Sequence, residues 1–403
     1  MSVIIKFVQK AKWLLPAIAI LFLVNACKKE NLSSPVVTGL RAISPAPNDS
    51  TLTQVVPGQI VVIKGNNLNG LQQVLFDGYQ ASVNTALNTN GTIVITVPSG
   101  ILFTSLSSDV ANTIKVITNH GETVYKFAVV PPPPVITSIS NEFAHGGDTI
   151  TITGSYLYTV QSVTFPGDNT VSSGFVSDST GVSLQVVVPN GITPGDADSL
   201  AVITEGGTGK AAFNNTYGMI ADFEWGDPHF GWQYWGGIMG SDATKFPDGW
   251  GNYIEINPPG PINGNDQGWY ANNRAVMIAS SPWEGVNIGD PPGNYALKFQ
   301  MYVLVPWTAG SLEAVIAGNF SYMAAYAPWQ QTSNGRFLTK GWITVTIPLS
   351  SFTNSNGNPA STVSTLTDGQ PGNTVQIMLY NNGTTPIQSF DAAFDNVRIV
   401  KIK

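Results

Sequence analysis

Two segments of this chain repeat one another at an offset of 89 residues. The first reads PGQIVVIKGNNLNGLQQVLFDG from Pro57, and the second reads GGDTITITGSYLYTVQSVTFPG from Gly146. Further along, VITVPSG is matched by VVVPNG, and IKVITNHG is matched by LAVITEGG. The chain therefore contains two copies of one structural unit, and any fold assigned to one copy must suit both.

The pattern inside each copy is that of short β-strands. In the first copy Ile60 and Val62 alternate with Val61 and Ile63, and Gly, Asn and Asp residues separate such runs. A period of two residues is typical of strands, and Gly, Asn and Asp mark turns. About seven short strands in about 90 residues favour an immunoglobulin-like sandwich.

The repeated G-x-x-L, V-x-F-x-G and V-P-x-G motifs resemble the IPT/TIG domain family. The resemblance covers residues 35–130 and 135–218. Between them, residues 131–134 read PPPP, and consecutive prolines favour a stiff, extended linker. Some IPT/TIG domains act as spacers in surface proteins, so the resemblance implies that the repeats form a stalk.

The N-terminus has the order of parts of a secretion signal. Lysines at 6, 10 and 12 precede an apolar run from Trp13 to Val24, which is shorter than the roughly 20 residues of a membrane span. VNAC at 24–27 resembles a bacterial lipobox, which implies a signal peptide at 1–26, a lipid anchor on Cys27 and a polar tether at 27–34. The alternative is a cytosolic chain with one chance buried cysteine.

Composition narrows the possible partners. Cys27 is the single cysteine, so no disulfide framework can support the fold. Without the three signal lysines the chain has 15 basic residues against 25 acidic ones. Such an acidic chain repels phosphate backbones, so nucleic acid is not an expected partner.

A different domain is predicted from Met219 to the end of the chain. Nine of the ten tryptophans lie beyond this point. Period-two patterns continue in NYALKFQMYVLV at 294–305, GWITVTIPLSSF at 341–352 and TVQIMLYNN at 374–382. No amphipathic helix of useful length is evident. Residues 219–403 therefore fit one two-sheet sandwich, a β-jelly roll, and the whole chain is predicted to be all-β.

Four stretches of this last domain, IADFEWG, GNYALKFQMYV, GWITVTIPLSSF and FDAAFDNVRIV, resemble carbohydrate-binding jelly rolls. With the two IPT/TIG units and the lipobox, the chain is similar to surface glycan-binding lipoproteins of Sus-like glycan-uptake systems, in the class that binds xyloglucan or a related β-glucan. The resemblance implies a non-catalytic protein exposed on the outer membrane. It would hold a polysaccharide for a neighbouring hydrolase and a TonB-dependent transporter.

Aromatic rings are the natural contacts for such a ligand, because flat rings cover the apolar faces of pyranoses while amides and carboxylates bond their hydroxyls. Rings beside Pro, Gly, Ser or Asn are expected outside the core, as candidate contacts for the glycan: Trp283, Trp307, Tyr322, Tyr326 and Trp329. The side-chain amides of Asn319 and Gln330 lie near these rings in the sequence and are candidate hydrogen-bonding partners. Rings at alternating strand positions are expected in the core: Phe223, Tyr295, Phe299, Phe390 and Phe394.

Two local ambiguities remain among these rings. Tyr322, Tyr326 and Trp329 fit either a strand followed by a loop, which Pro328 favours, or a helical turn. In GWQYWGG, Trp232 and Trp235 are three residues apart and would face opposite ways on a strand, so one is expected to be structural and the other a sugar platform.

Four acids are candidates for a structural calcium site. Asp222 and Glu224 lie near the start of the jelly roll, and Asp391 and Asp395 near its end, where related jelly rolls often hold calcium. Calcium takes six to eight oxygen ligands. The alternative is that these acids are solvated or cap turns. No other cofactor is required, and no zinc-binding spacing occurs.

Two other functions were weighed against glycan binding. A glycoside hydrolase needs two carboxylates flanking the scissile bond, but the jelly roll has four glutamates and no E-x-D-x-x-E strand motif. A structural or adhesive protein would make the repeats its main feature, yet such a sandwich rarely needs nine tryptophans. The sequence therefore favours a binding protein.

Overall fold

The computed structural model describes residues 33–224, 237–268, 270, 273–278 and 282–403. These residues form an almost entirely β-structure, which confirms the predicted class. The chain divides into two compact units, Met1–Pro132 and Pro133–Lys403. Within the described residues, no helix has both the length and the apolar character that crossing a membrane would require.

The first repeat is a sandwich built around Val61, Ile63, Val74 and Phe76, whose side chains are buried between its sheets. One sheet has the order β1-β3-β6, a second has the order β5-β4-β7-β8, and β2 pairs with β9 in parallel. Its strands are β1 Val36–Ala42, β2 Gln54–Val55, β3 Ile60–Asn66, β4 Leu71–Phe76, β5 Tyr79–Gln80, β6 Thr92–Thr96, β7 Thr113–Thr118, β8 Gly121–Lys126 and β9 Ala128–Val129. Short 3-10 turns span Thr85–Leu87 and Phe103–Ser105.

The second repeat is the same kind of sandwich, with Ile150, Ile152, Val163 and Phe165 in its core. Its sheets have the orders β10-β11-β15-β14 and β13-β12-β16-β17. Its strands are β10 Val135–Ile139, β11 Thr149–Ser155, β12 Val160–Phe165, β13 Asn169–Val171, β14 Val176–Ser177, β15 Ser183–Val187, β16 Ser199–Thr204 and β17 Gly207–Ala212, with a 3-10 turn at Pro166–Asp168.

The C-terminal domain is a sandwich of two sheets. The larger has the order β19-β20-β27-β22-β25, with β18 also paired to β27, and the smaller has the order β21-β26-β23-β24. Its strands are β18 Met219–Ala221, β19 Ile238–Gly240, β20 Tyr253–Ile256, β21 Ala275–Ile278, β22 Tyr295–Val303, β23 Ser311–Ile316, β24 Ala324–Tyr326, β25 Ile343–Pro348, β26 Val375–Tyr380 and β27 Ala392–Lys401. A one-turn α-helix spans Val363–Thr367, and 3-10 turns span Pro292–Asn294, Pro328–Gln331 and Leu349–Ser351.

The core of this domain confirms the alternation read from the sequence. Tyr295, Leu297, Phe299, Met301 and Val303 all face inwards from β22. All five rings expected in the core are buried there: Phe223, Tyr295, Phe299, Phe390 and Phe394. Alternating side chains of one strand reach the same face of a sheet, which is why the period-two pattern predicts this core.

The other face of β22 is covered by the second repeat. Glu142 of that repeat accepts a hydrogen bond from Lys298 Nζ at 2.5 Å and another from a guanidinium nitrogen of Arg398 at 2.6 Å. The Glu142 and Arg398 side chains are almost fully buried. The Phe143 ring lies 4.7 Å from the Arg398 guanidinium carbon. We call Glu142, Phe143, Lys298 and Arg398 the interdomain clamp.

Burial by itself would raise the pKa of Glu142. The charges of Arg398 and Lys298 and their hydrogen bonds outweigh that effect and hold the pKa of this carboxyl below its ordinary value. A buried carboxylate is tolerated only when it is paired and hydrogen-bonded. Glu142 is therefore an ionised group that depends on both domains being in contact.

Hydrogen bonds next to the clamp join the same two domains. Trp250 Nε1 donates to the carbonyl oxygen of Phe143 at 2.6 Å. The Thr344 amide donates to the carbonyl oxygen of Ser140 at 2.8 Å, and the Thr344 hydroxyl accepts from the Glu142 amide at 2.7 Å. The second repeat and the jelly roll therefore form one compact body, whereas the sequence suggested that both repeats belong to a stalk.

Candidate functional site

Two hollows lie on either side of the 3-10 turn Pro328–Gln331 of the jelly roll. One has a volume of about 360 Å³ and the other a volume of about 380 Å³. Trp329 and Gln330 line the first, and Tyr326 lines the second. Three of the residues that the sequence singled out are thus brought to one edge of the domain.

The hairpin of β23 and β24 places these residues. Tyr326 pairs with Leu312 at the end of β24, and Pro328 then begins the turn that carries Trp329. Proline suits the first position of such a turn because it lacks the amide proton and has a helical φ. The predicted strand is confirmed for Tyr326, but Tyr322 precedes it and Trp329 lies in a 3-10 turn rather than in the predicted loop.

The first hollow combines one indole with exposed polar groups. Trp329 is partly buried against the core, and its Nε1 donates to the carbonyl oxygen of Gly310 at 2.8 Å, which fixes the ring. Exposed amides and hydroxyls line the same hollow: Gln330, Asn382, Thr384 and Thr385. A fixed ring beside amides and hydroxyls can stack on a pyranose face and bond its hydroxyls.

The loop after β26 is a part of this hollow that sequence reasoning missed. Asn381 is buried, and its Nδ2 donates to the carbonyl oxygens of Asn263 and Thr385, each at 2.9 Å, and of Ile262 at 3.3 Å. The side chain of Asn382 accepts a hydrogen bond from Gln267 Nε2 at 2.8 Å. The N-N-G-T-T stretch signalled a turn, but nothing in it showed that the turn lies beside Trp329.

The second hollow is lined by Tyr326, Phe337, Gln331 and Thr332. Tyr326 is partly buried, and its ring centroid lies 6.2 Å from that of Trp307. Burial raises the pKa of Tyr326 to about 12, so this phenol stays protonated at ordinary pH. It is therefore available as a neutral hydrogen-bond donor.

The expectation that Trp283 and Trp307 lie outside the core is wrong. Trp307 is 0% exposed and Trp283 is 4% exposed. Trp307 forms an isolated bridge with Phe337, and its Nε1 donates to the carbonyl oxygen of Ala309 at 2.7 Å. Rings without an exposed face offer no platform for a sugar.

Asn319 and Tyr322 lie at the opposite end of the β23–β24 hairpin from Trp329. Asn319 Nδ2 donates to the carbonyl oxygen of Thr365 at 3.2 Å, and its Oδ1 accepts from the Ser321 amide at 3.2 Å. Tyr322 packs partly buried against the core. Both residues therefore stay outside the two hollows. The other predicted positions, Trp232, Trp235 and Cys27, lie outside the described residues.

A carboxylate lies close to the first hollow but does not line it. Ser311 lines the hollow and donates to Glu313 Oε1 at 2.6 Å. Glu313 is 5% exposed, and desolvation raises its pKa despite the hydrogen bond from Ser311. Among the described residues, neither hollow is lined by Asp or Glu.

Three of the four acids proposed for calcium lie near one another, whereas Asp391 pairs elsewhere. Asp391 bonds Lys245 at 3.0 Å, and Lys245 also bonds Glu255 at 2.7 Å. Asp395 is instead buried near Asp222 and Glu224, and desolvation followed by those two charges raises its pKa well above the ordinary value.

The remaining acids already have amide partners. Both oxygens of Glu224 accept hydrogen bonds from Asn252, and both oxygens of Asp395 accept hydrogen bonds from Asn396. In the part of the chain that the structure describes, no group of three or more His, Cys, Asp or Glu side chains is arranged to hold a metal ion. The four acids therefore do not form one site, and calcium binding by the remaining three stays a prediction.

An all-β chain of two immunoglobulin-like sandwiches and a jelly roll, with hollows that join aromatic rings to amides and hydroxyls, has the architecture of a carbohydrate-binding protein. Two family models match it. Residues 213–401 match the surface glycan-binding protein B xyloglucan binding domain, and residues 134–217 match the IPT/TIG domain. The C-terminal domain is thus similar to the first family and the second repeat to the second.

Solved structures share this architecture. The surface glycan-binding protein PbSGBP-B from Prevotella bryantii has a TM-score of 0.67 at 23% identity, covering 92% of this chain and 99% of that one. SGBP-B from a complex xyloglucan utilization locus in Bacteroides uniformis has a TM-score of 0.50 at 20% identity, covering 92% of this chain and 100% of that one. At these identities the likeness shows a shared fold.

A curated relative matches part of the chain. It is an IPT/TIG domain-containing protein of Bacteroides ovatus, 32% identical over 166 residues, which are 40% of this chain and 34% of the relative. The match thus spans about a third of the relative's length.

Proposed function

We propose that this chain is a non-catalytic polysaccharide-binding protein of the cell surface, and that its ligand is a plant-type β-glucan such as xyloglucan. The observation that carries the proposal is the match of residues 213–401 to a xyloglucan binding domain. The hollow beside Trp329 supports it with a ring and polar groups suited to a neutral sugar.

In this proposal the Trp329 ring stacks on one face of a glucosyl unit. Gln330, Asn382 and Thr384 bond the hydroxyls at its rim. Each such stacking contact contributes about 0.5–1.5 kcal/mol beyond the area it buries. Three contacts at the upper end of that range sum to about 4 kcal/mol, which corresponds to a Kd on the order of 1 mM, and repeated units of the polymer increase the avidity.

The positions of the acids near the hollows support binding without hydrolysis. Glycosidases place two carboxylates about 5–10 Å apart on either side of the scissile bond. The described lining of both hollows has no carboxylate, and Glu313 is buried behind Ser311. This arrangement favours a binder over the hydrolase that the sequence left open. It also favours a binder over a purely structural protein, because the hollows are built from exposed polar loops.

The proposal includes a location and a task. Cys27 would carry lipid and anchor the chain in the outer membrane. The chain would then hold the glucan for a neighbouring hydrolase and a TonB-dependent transporter. If Cys27→Ala leaves the protein in the membrane fraction of its host, the anchor is disproved.

Affinity electrophoresis of the full chain tests the binding site. Gels containing xyloglucan or mixed-linkage glucan should retard the protein and release no reducing sugar. Trp329→Ala should weaken retardation at least about fivefold, because about 1 kcal/mol of stacking is lost. Phe320→Ala is a matched control, since Phe320 is a 45% exposed ring of the same compact unit that lines neither hollow.

Three results would contradict the proposal. Unchanged retardation of Trp329→Ala would show that the glucan binds elsewhere. Release of reducing sugar would favour the hydrolase. Failure of the wild-type chain to bind any β-glucan or mannan would remove the glycan hypothesis altogether. A melting curve of each variant separates loss of the site from loss of the fold.

A further inference from the structure

A third cleft lies between the second repeat and the jelly roll, within one compact unit, and has a volume of about 460 Å³. Both domains contribute to its walls. We call it the interdomain cleft, and the residues that matter here are Ile136, Lys210, Tyr217, Glu142, Arg398 and Lys401. Its size falls within the range of about 300–1,000 Å³ that is usual for small-ligand sites.

Positive charge is concentrated in this cleft. Residues 33–403 contain 13 Lys and Arg side chains, and four of them line the interdomain cleft: Lys210, Lys298, Arg398 and Lys401. Among the described lining residues Glu142 is the one acid, and Lys298 and Arg398 already bond it. The clamp therefore leaves one net positive charge at the base of the cleft.

Lys210 and Lys401 add two more positive charges at its rim. Lys210 lies on β17 of the second repeat, and Lys401 ends β27 of the jelly roll. Both are exposed, and neither forms an ion pair with a described residue. In a chain whose formal net charge is −7, such a cleft attracts anions that the rest of the surface repels.

The cleft also has an apolar side. Tyr217 is 43% exposed, and Ile136, Val400 and Ile402 line the wall with it. An inorganic anion makes no favourable contact with an aromatic ring or with aliphatic side chains. A sugar that carries a carboxylate uses both, because its ring face covers the aromatic side chain while its charge meets the lysines.

We propose that the interdomain cleft is a second binding site, and that it takes an anionic saccharide bearing a uronic acid. The carboxylate lies between Lys210 and Lys401, and a sugar face lies against Tyr217. This site is separate from the β-glucan hollows, and its ligand differs in charge. The clamp fixes the two walls, so the site exists only while the second repeat stays docked.

Isothermal titration calorimetry of the full chain in a non-ionic detergent tests this site, with trigalacturonate as the probe. Binding should weaken when NaCl rises from 0.1 M to 1 M, because the Debye length falls from about 10 Å to about 3 Å. Lys210→Gln/Lys401→Gln should weaken binding at least about tenfold, because two charge-assisted contacts are lost. Lys64→Gln is the matched control, since Lys64 is an exposed lysine of the other compact unit.

The same variants distinguish this site from the glucan site. Lys210→Gln/Lys401→Gln should bind xyloglucan normally, and Trp329→Ala should bind trigalacturonate normally. Tyr217→Ala should weaken trigalacturonate binding. Its melting temperature should equal that of the wild type, which would show that the fold is intact.

Three outcomes overturn the proposal. One is equal binding of trigalacturonate by wild type and the double lysine variant. A second is equally tight binding of uncharged cellotriose at this site. The third is inorganic phosphate binding as tightly as trigalacturonate, which would mark an anion site without sugar recognition.

Discussion

The two immunoglobulin-like repeats share a fold but differ in what they contact. The first repeat lies in a compact unit of its own, whereas the second is packed against the jelly roll through the interdomain clamp. The corner that holds Glu142 and Phe143 in the second copy contains Thr53 and Gln54 in the first, where it is ten residues longer because the strands before it are offset by 99 residues. Thr53 and Gln54 are exposed, while Glu142 and Phe143 are buried.

This difference teaches that duplication preserves a core while leaving the surface free to acquire a new role. The core positions of the two copies correspond, for example Phe76 and Phe165. At one corner the second copy supplies an anion and a ring for Arg398. The predictions that follow probe this difference, from the largest expected effect to the smallest.

Glu142→Gln should have the largest effect on stability. It leaves Arg398 and Lys298 next to each other without a carboxylate, and breaking a buried ion pair costs about 3–5 kcal/mol. Thr53→Ala, a change at an exposed position of the first repeat, should cost less than about 0.5 kcal/mol. Urea unfolding followed by tryptophan fluorescence measures the jelly roll directly, since nine of the ten tryptophans lie beyond Met219. Equal midpoints for the two variants would show that the clamp contributes nothing.

Acidic pH should reduce the contribution of Glu142 to the free energy of unfolding. The folded-state pKa of Glu142 is lowered, so its stabilising effect is present above the ordinary pKa of about 4.3 and is lost as pH falls through the folded value. The difference in unfolding free energy between wild type and Glu142→Gln should therefore shrink below about pH 4.3.

Asp77 should make the stability of the first repeat depend on pH in the opposite direction. Desolvation raises the pKa of Asp77 despite hydrogen bonds from Thr113 and Asn112. Because its folded-state pKa is raised, Asp77 contributes stability that is fully present below its unfolded-state pKa. That contribution is lost as pH rises through the folded-state pKa. Hydrogen exchange of peptides from each repeat would separate the two responses, and parallel responses would contradict this assignment.

Trp250→Phe should have an intermediate effect. The phenyl ring can still pack beside His145, whose ring centroid lies 3.9 Å from that of Trp250, but the hydrogen bond to Phe143 is lost. The net loss of such a bond is about 1 kcal/mol. The melting temperature should fall modestly, and no fall at all would show that water replaces the indole N–H.

Glu122→Gln should have the smallest effect. In the first repeat, Lys115 and Glu122 form an ion pair at 2.8 Å whose side chains are 35% and 56% exposed. Exposed pairs are screened by solvent and contribute about 0–1 kcal/mol, so the expected change is below about 0.5 kcal/mol. A loss close to that of Glu142→Gln would mean that burial is not what distinguishes the two repeats.

The strands could be predicted from the sequence because their pattern is local. Tyr295–Val303 alternates apolar and polar residues, and the structure turns its apolar set inwards as expected. The same pattern placed Lys298 and Gln300 on the outer face of the sheet. It could not show that the second repeat covers this face, because Glu142 and Arg398 are 256 residues apart.

The candidate site could be predicted only in part for the same reason. Trp329 was found because Pro328 and polar neighbours mark a surface turn. Trp307 stands in a similar setting, beside Pro306 and close to Gly310, yet its pairing with Phe337 buries it. Asn382 and Thr384 reach the Trp329 hollow because β26 and β23 are neighbours, which is a property of the sheet order.

The interdomain clamp also determines how this chain can be recombined. A jelly roll moved to another surface protein without the second repeat would present Arg398, Trp250 and Thr344 to water without their partners Glu142, Phe143 and Ser140. A transfer that begins in the prolines at 131–134, where the two compact units meet, would carry Glu142 and Phe143 along. The second repeat and the jelly roll should therefore be transferred together, with the junction placed in the prolines at 131–134.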